Sequence, residues 1–275
     1  MSSIVIGAVA YDPKVVPIWE GMRDYFREVG PEIDYVLYSN YDSLVRALLA
    51  KEVAMGWNTN LAWLKAQHRT QGTCRALAMR DVDARFTTIF VARSDSGVEK
   101  LEDAQGKRIA VGSADSAQAA ILPVHFLQDA GVDLDQCTVL RFDLDVGKHG
   151  DTGTSELEVL RALREGQADI GVVGDTTWAR LLNDRKIDPR EIQPFWTSPG
   201  YCHCNFTVLE DFPEDQAEQW TDSLLSMSYN DTRWRELMEL EGLKQWLRAS
   251  PEIMSGYNVL QEAVEKQGLI EHWKV

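Results

Sequence analysis

The chain has 275 residues, 44% of them hydrophobic and 26% charged, which is enough apolar side chain for one large domain or two modest lobes without covalent staples. With 43 acidic against 28 basic residues its formal charge is -15, a field that repels phosphate backbones and anionic bilayers and excludes a global nucleic-acid or membrane-surface role. No apolar run approaches the roughly 18 residues of a spanning helix, and Cys74, Cys137, Cys202 and Cys204 lack the spacing of a disulfide framework.

Met1 to Tyr11 has no basic leader and reads directly as a first strand. With Met1 as the native start this predicts a cytoplasmic protein, and with an export signal removed a periplasmic one. Apolar runs of strand length then alternate with amphipathic helical stretches, the pattern of βαβ units and mostly parallel sheet. The predicted strands are Ile4 to Ala10, Asp34 to Ser39, Val53 to Trp57, Arg75 to Met79, Thr87 to Ala92, Arg108 to Val111, Thr138 to Phe142, Ile170 to Val173 and Gln193 to Trp196. After Asn205 to Leu209 the texture changes, and Pro213 to about Gln267 reads as consecutive helices punctuated at Asn230, Gly242 and Pro251. Trp19, Trp63, Trp178, Trp220, Trp234 and Trp246 lie on helical patterns and read as packing residues.

An ungapped internal repeat organises this pattern. Val45-Arg46-Ala47-Leu48, Met55-Gly56 and Trp63 recur as Leu160-Arg161-Ala162-Leu163, Ile170-Gly171 and Trp178. Each copy is helix, short connection, buried strand, loop and next helix, so two equivalent lobes with a cleft are expected. Their boundaries fall at 1–89 for the first part of lobe 1, 90–204 for lobe 2, and 205–275 for a return strand and C-terminal helices of lobe 1. Hinges are expected near Thr88 to Ala92 and Cys204 to Val208.

The strand Arg108 to Val111 runs into Gly112-Ser113-Ala114-Asp115-Ser116, which opens a helix. A Gly-Ser loop at a helix N-terminus presents unsatisfied amides, hydroxyl donors and the positive end of the helix dipole, and so cradles an anion. The same residues also serve as ordinary helix caps, and Asp115 suits a dianion only if its carboxylate points away.

These residues, with Leu101 to Arg108, Pro123, Ala130-Gly131-Val132, Ala162-Leu163-x-x-Gly166-x-Ala168-Asp169 and Ser198-Pro199, resemble the phosphonate and phosphite substrate-binding family of ABC transporters. That family is a branch of the type II periplasmic binding fold, and the resemblance covers most of residues 4 to 210. It implies an oxyanion held by hydroxyls and helix N-termini between lobes, with a Tyr after the first strand. Carried over by position, it offers Tyr11, then Trp57, Asn58, Thr59 and Asn60, and in the second lobe Ser113, Ser116, Ala117 and Gln118. The loop Gly147 to Gly153 adds His149, an imidazole donor or a solvated loop residue. Trp57, Tyr11 and Tyr201 would line the cleft as aromatic walls, or serve as hinge or core residues. Ala117 in place of a hydroxyl, and the bulk of Trp57, depart from the family and suggest a ligand with an organic face.

Tyr201-Cys202-His203-Cys204-Asn205 leaves a second class open. On a strand the two cysteines would face opposite His203, so the three would not chelate one metal. The segment also resembles the cysteine-rich motif of the pyrimidine synthase of fungal thiamin formation, which shares this fold. There a Lys and a His follow the Met-Gly pair, whereas this chain has Asn58 and Ala62, so the resemblance does not carry that activity over. Walker, Gly-x-Ser-x-Gly and His-Glu-x-x-His patterns are missing. The expectation is therefore an α/β, two-lobed, type II periplasmic-binding-protein-like fold with mixed, mostly parallel sheets and C-terminal helices. It would bind a small anionic or zwitterionic ligand without catalysis, cofactor or metal, its transporter or enzyme partner unspecified. The alternative is a cofactor-biosynthesis-type enzyme using a His/Cys metal site.

Overall fold

The computed structural model describes residues 3–273. In chain order the regular elements begin β1 (Ile4–Val9), α1 (Val15–Val29), β2 (Ile33–Tyr38), α2 (Tyr41–Leu49), β3 (Met55–Asn58), α3 (Asn60–Arg69), β4 (Arg75–Ala76), β5 (Ala78–Arg80) and β6 (Thr88–Arg93). They continue β7 (Arg108–Val111), α4 (Leu122–Asp129), β8 (Thr138–Arg141), α5 (Thr154–Arg164), β9 (Ile170–Gly174), α6 (Asp175–Asn183), β10 (Ile192–Thr197) and β11 (Asn205–Val208). Last come α7 (Glu214–Leu225), α8 (Thr232–Glu241), β12 (Trp246–Arg248), α9 (Pro251–Met254) and α10 (Asn258–Lys266). The chain divides into two compact units, Met1–Arg85 with Cys202–Tyr257, and Phe86–Tyr201 with Asn258–Val275.

The first unit is built on the sheet β2-β1-β3-β11-β4, with β1 parallel to β2 and β3 and β11 antiparallel to β3 and β4. Alternation along β1 sends Ile4, Ile6 and Ala8 into one core. Gly7 faces the other way, where a Cβ would lie 2.4 Å from Leu44 of α2, so the close approach of that helix requires glycine. Val15, Ile18, Trp19, Met22, Tyr25 and Phe26 form the buried stripe of α1, and Phe26 stacks on Trp220 of α7 with centroids 5.5 Å apart.

The expected strand Arg75 to Met79 divides at Leu77. There the Leu77 amide donates to Phe206 O and its carbonyl accepts from Ala249 N, handing the chain from the main sheet to a two-stranded one. Its partner strand β12 corrects the all-helical expectation for 213–267. Gly242, left-handed at φ 80°, stops α8, and Trp246 then enters the core from a strand rather than a helix.

The second unit is built on β10-β6-β9-β7-β8, with β7 parallel to β8 and β9, and β6 antiparallel to β9 and β10. β9 is buried on both faces: Ile170 and Val172 join one apolar cluster and Val173 another. Gly171 admits α5, since a Cβ there would lie 2.7 Å from Leu163 and 2.8 Å from Val159. The C-terminal helix α10 packs on α4, where Lys266 pairs with Asp129 and Gln267 donates to Ile121 O. Residues 258–275, which the sequence reading attached to lobe 1, are thereby grouped with the second unit. The predicted repeat is α2-β3-α3 in the first unit and α5-β9-α6 in the second, with Trp63 and Trp178 both buried.

Candidate functional site

In the second unit β7 ends in Gly112, and Ser116 caps a helix whose first turn, Ala117–Ile121, is a π turn continuing into α4. Pro123 dictates that turn. Lacking an N–H, it cannot satisfy the Ala119 carbonyl four residues earlier, and Gly112 N takes that carbonyl instead at 2.8 Å. Ala120 N and Ile121 N then share Ser116 O, and Leu122 N reaches back to Ala117 O. The Gln118 carbonyl, released in turn, accepts from Thr88 Oγ1 at 2.9 Å, and Thr88 is held at 2.9 Å by the Tyr201 hydroxyl.

The buried Ser116 hydroxyl accepts from Ala119 N at 3.2 Å, while the amides of Ala117 and Gln118 head the helix without intrahelical acceptors. Ser113 donates to the carbonyls of Leu144 and Phe142, so its hydroxyl pins the neighbouring loop. The Asp115 carboxylate accepts from Gly147 N at 2.5 Å. The buried His149 has φ 52°, a left-handed conformation unusual for a residue with a Cβ. The following Gly150, at φ 84°, runs so close that a Cβ would lie 2.4 Å from Ser116 Oγ and 2.7 Å from Gln118 Nε2.

Gln118 donates from Nε2 to Glu156 Oε1 at 3.3 Å, and Glu156 Oε2 accepts from Gly174 N at 3.0 Å. Burial holds the Glu156 carboxyl above its ordinary range, opposed by hydrogen bonds from Thr177, Gly174 and Gln118 and by the Arg180 charge. Gln118 Oε1 and Ser155 Oγ are buried without a hydrogen-bond partner. Sequence reasoning missed Thr88, Glu156 and Gly150. Pro123, seven residues after Ser116, was the available signal for the turn that engages Thr88.

The first unit uses its predicted site residues differently. Trp57, expected on a ligand wall, is 7% exposed and packs in the core, 4.5 Å from the Phe206 centroid and under the Arg80 guanidinium. β-Strand alternation decides this, because Trp57 shares the face of Met55. Asn58 donates to Thr207 Oγ1 at 3.0 Å, Thr207 to Asn205, and Asn205 to Tyr257. Thr59 caps α3, and Asn60 donates to Cys202 O. Tyr11 alone of these five is half-exposed, with Lys14 above its ring. Tyr201, also expected as a wall, is fully buried in the second unit against Phe86.

Residues 202–204 precede β11 and are not strand, so the expected opposition of His203 and Cys204 does not occur. His203 Nδ1 lies 3.1 Å from Cys204 Sγ and 3.5 Å from Asp83 Oδ1. Arg80 already engages both Asp83 oxygens, from Nε at 2.6 Å and Nη2 at 2.8 Å, and would repel a divalent cation held by these three side chains. Burial pushes the Cys202 thiol up to about 12 and the Cys74 thiol up to about 11, which suppresses thiolate chemistry. A second grouping, His125, Asp129 and Glu262, has two exposed carboxylates, both of them paired with Lys266.

Two α/β units on mixed five-stranded sheets, with a capped helix opening after a parallel strand, define the periplasmic-binding-protein class of fold. The family model described as "ABC transporter, phosphonate, periplasmic substrate-binding protein" matches residues 7–253, and the chain belongs to that family. It is 21% identical over 237 residues to a probable ABC transporter phosphite binding protein PhnD1 of Prochlorococcus marinus (strain MIT 9301), covering 82% of this chain and 77% of that one. The solved PhnD1 from this organism, in complex with methylphosphonate, superposes with a TM-score of 0.74 at 18% identity over 97% of this chain and 98% of that chain. The periplasmic aliphatic sulphonate binding protein SsuA of Escherichia coli gives 0.68 at 11% identity over 98% and 88%. The family is one of periplasmic substrate-binding proteins, and its function is the non-catalytic binding of a small ligand. Among the described residues no helix is long and apolar enough to cross a membrane.

Proposed function

We propose that the chain binds a small phosphonate- or phosphate-like oxyanion and presents it to an ABC-transporter partner. The observation that carries this is the start of the helix at Ser116. It has a strand-fed hydroxyl cap, amides of Ala117 and Gln118 without intrahelical acceptors, and a carboxylate at Asp115 turned onto another amide. Ser116, Ala117 and Gln118 supply the anion contacts, Ser113 holds the loop, and His149 contributes from the loop that crosses Ser116. Tyr201 acts through Thr88 rather than on the ligand.

Isothermal titration with methylphosphonate, phosphite, phosphate, sulfate, methanesulfonate and acetate tests the reading. Saturable binding of at least one phosphorus oxyanion is expected. Failure of all six, with the protein shown to be folded, would sink it.

A further inference from the structure

We propose that Gln118 sets ligand specificity by offering its side-chain carbonyl oxygen to a hydrogen on the bound oxyanion, so that a monoprotonated phosphonate is selected over a sulfonate of equal charge. This rests on the oxyanion reading above and adds a substrate class to it.

The hydrogen bond to Glu156 sets which way the amide points, and Gly174 and Gly150 confine the side chain. Nε2 points to Glu156 Oε1 at 3.3 Å, and Glu156 is itself held as an acceptor by Gly174 N at 3.0 Å. The Gln118 stem lies against Gly174, where a Cβ would sit 3.1 Å from Cγ, and its Nε2 lies against Gly150, where a Cβ would sit 2.7 Å away. With Glu156 ionised, turning the amide over would set the Gln118 oxygen against a Glu156 oxygen, two acceptors facing one another.

Oε1 is therefore left buried with no partner, on a residue only 3% exposed. A buried acceptor without a donor is costly and rare in folded proteins. The partner that suits it is a donor brought by the ligand. A monoprotonated phosphonate brings one P–OH together with the negative charge that the helix start favours. A sulfonate has the same charge and tetrahedral shape and no hydrogen to give. Acceptor and helix amides on one residue thus read the two ends of a P–OH oxyanion.

The test compares methylphosphonate with methanesulfonate by titration calorimetry at a pH where both are monoanions, which removes net charge from the comparison. The wild type is expected to prefer methylphosphonate by roughly tenfold or more, the scale of one hydrogen bond. Gln118→Met, which keeps the stem and removes both polar atoms, is expected to bring the two affinities within about twofold, mainly by weakening methylphosphonate. Glu156→Gln, which frees the amide to turn, is expected to reduce the preference as well; a role limited to folding would lower both affinities together and leave their ratio intact. Equal wild-type affinities, or a preference that survives Gln118→Met in folded protein, overturn the assignment. Failure of the wild type to bind either ligand or any other phosphorus oxyanion would instead remove the oxyanion reading on which it stands.

Discussion

The two units have the same sheet, strand for strand. β2, β1, β3, β11 and β4 in the first correspond to β8, β7, β9, β6 and β10 in the second, with the same parallel and antiparallel neighbours. Their loops differ. After β1 the chain enters α1 at Lys14 with no side-chain cap, and the buried polar residues of β3 and β11, Asn58, Asn205 and Thr207, bond to one another and to Tyr257. After β7 the chain makes a Ser-capped π turn whose amides and one side-chain oxygen are left over. Equivalent backbones thus put their polar side chains to different uses, cohesion in the first unit and, on the function proposed above, recognition in the second. Substitutions in the first should move stability and spare affinity; those around Ser116 should do the reverse.

The largest effect is expected at Asp83. It is fully buried and its partner Arg80 largely so, and Asp83→Asn leaves that cation only the more distant Glu241 carboxylate at 3.4 Å, so the change should cost about 3 kcal/mol in urea unfolding. Burial alone would raise the Asp83 carboxyl; the Arg80 guanidinium more than reverses this, and the group lies at about 2 against an ordinary 3.8. A folded-state value below the unfolded one contributes stability that is complete above about pH 4 and is lost as pH falls towards about 2. Asp83→Asn should flatten that acid limb while the folded fraction still binds methylphosphonate normally. An affinity loss matching the stability loss would break the division of labour between the units.

Gly150→Ala comes next and should act on binding. The new Cβ would adopt φ 84° and press on Ser116 Oγ and Gln118 Nε2, displacing both. Affinity for methylphosphonate should fall by roughly a hundredfold, about 2.7 kcal/mol. A melting point lowered sharply with affinity unchanged would show that the loop only packs. Ser116→Ala is milder: loss of the cap costs about 1 kcal/mol of stability, and binding should weaken by roughly tenfold. Titration of this variant with unaltered affinity would reduce Ser116 to a cap.

Much of this was legible in the sequence because it rests on local chemistry. The 45–63 and 160–178 repeat marks the helix-strand-helix segments of both units, since Gly171 and the apolar triplets encode strand-on-helix contact directly. The Ser113 to Gln118 loop was visible as a strand leading to a cap. What stayed hidden depends on residues far apart in sequence. Thr88 reaches Gln118 only because Pro123 shifts the helix register, and Glu156 of α5 meets Gly174 at the end of the central strand β9. Trp246 was read as helical because its strand is three residues long and acquires its partner from β5. Cys204 and His203 were read as opposed because regular strand geometry was assumed from Cys202, three residues before it begins.

Trp57 gives the smallest expected effect and the sharpest test of the comparison. As an aromatic near the end of β3, it invites a stacking role. Its ring is surrounded by first-unit groups, however: Phe206 at 4.5 Å, Trp246 at 6.0 Å and the Arg80 guanidinium at 5.4 Å from the centroid. Trp57→Phe keeps most of this apolar contact and should cost under about 1.5 kcal/mol of stability. Affinity for methylphosphonate should stay within about twofold of wild type, a difference of roughly 0.4 kcal/mol. The chain has nine tryptophans, so the emission of Trp57 is obtained as wild type minus Trp57→Phe. That difference spectrum should be the same with and without saturating ligand, because a ring enclosed by its own unit's core has no new neighbour to report. A ligand-dependent shift confined to the difference spectrum would place Trp57 in contact with the ligand and return to the first unit the recognition role that its packing denies it.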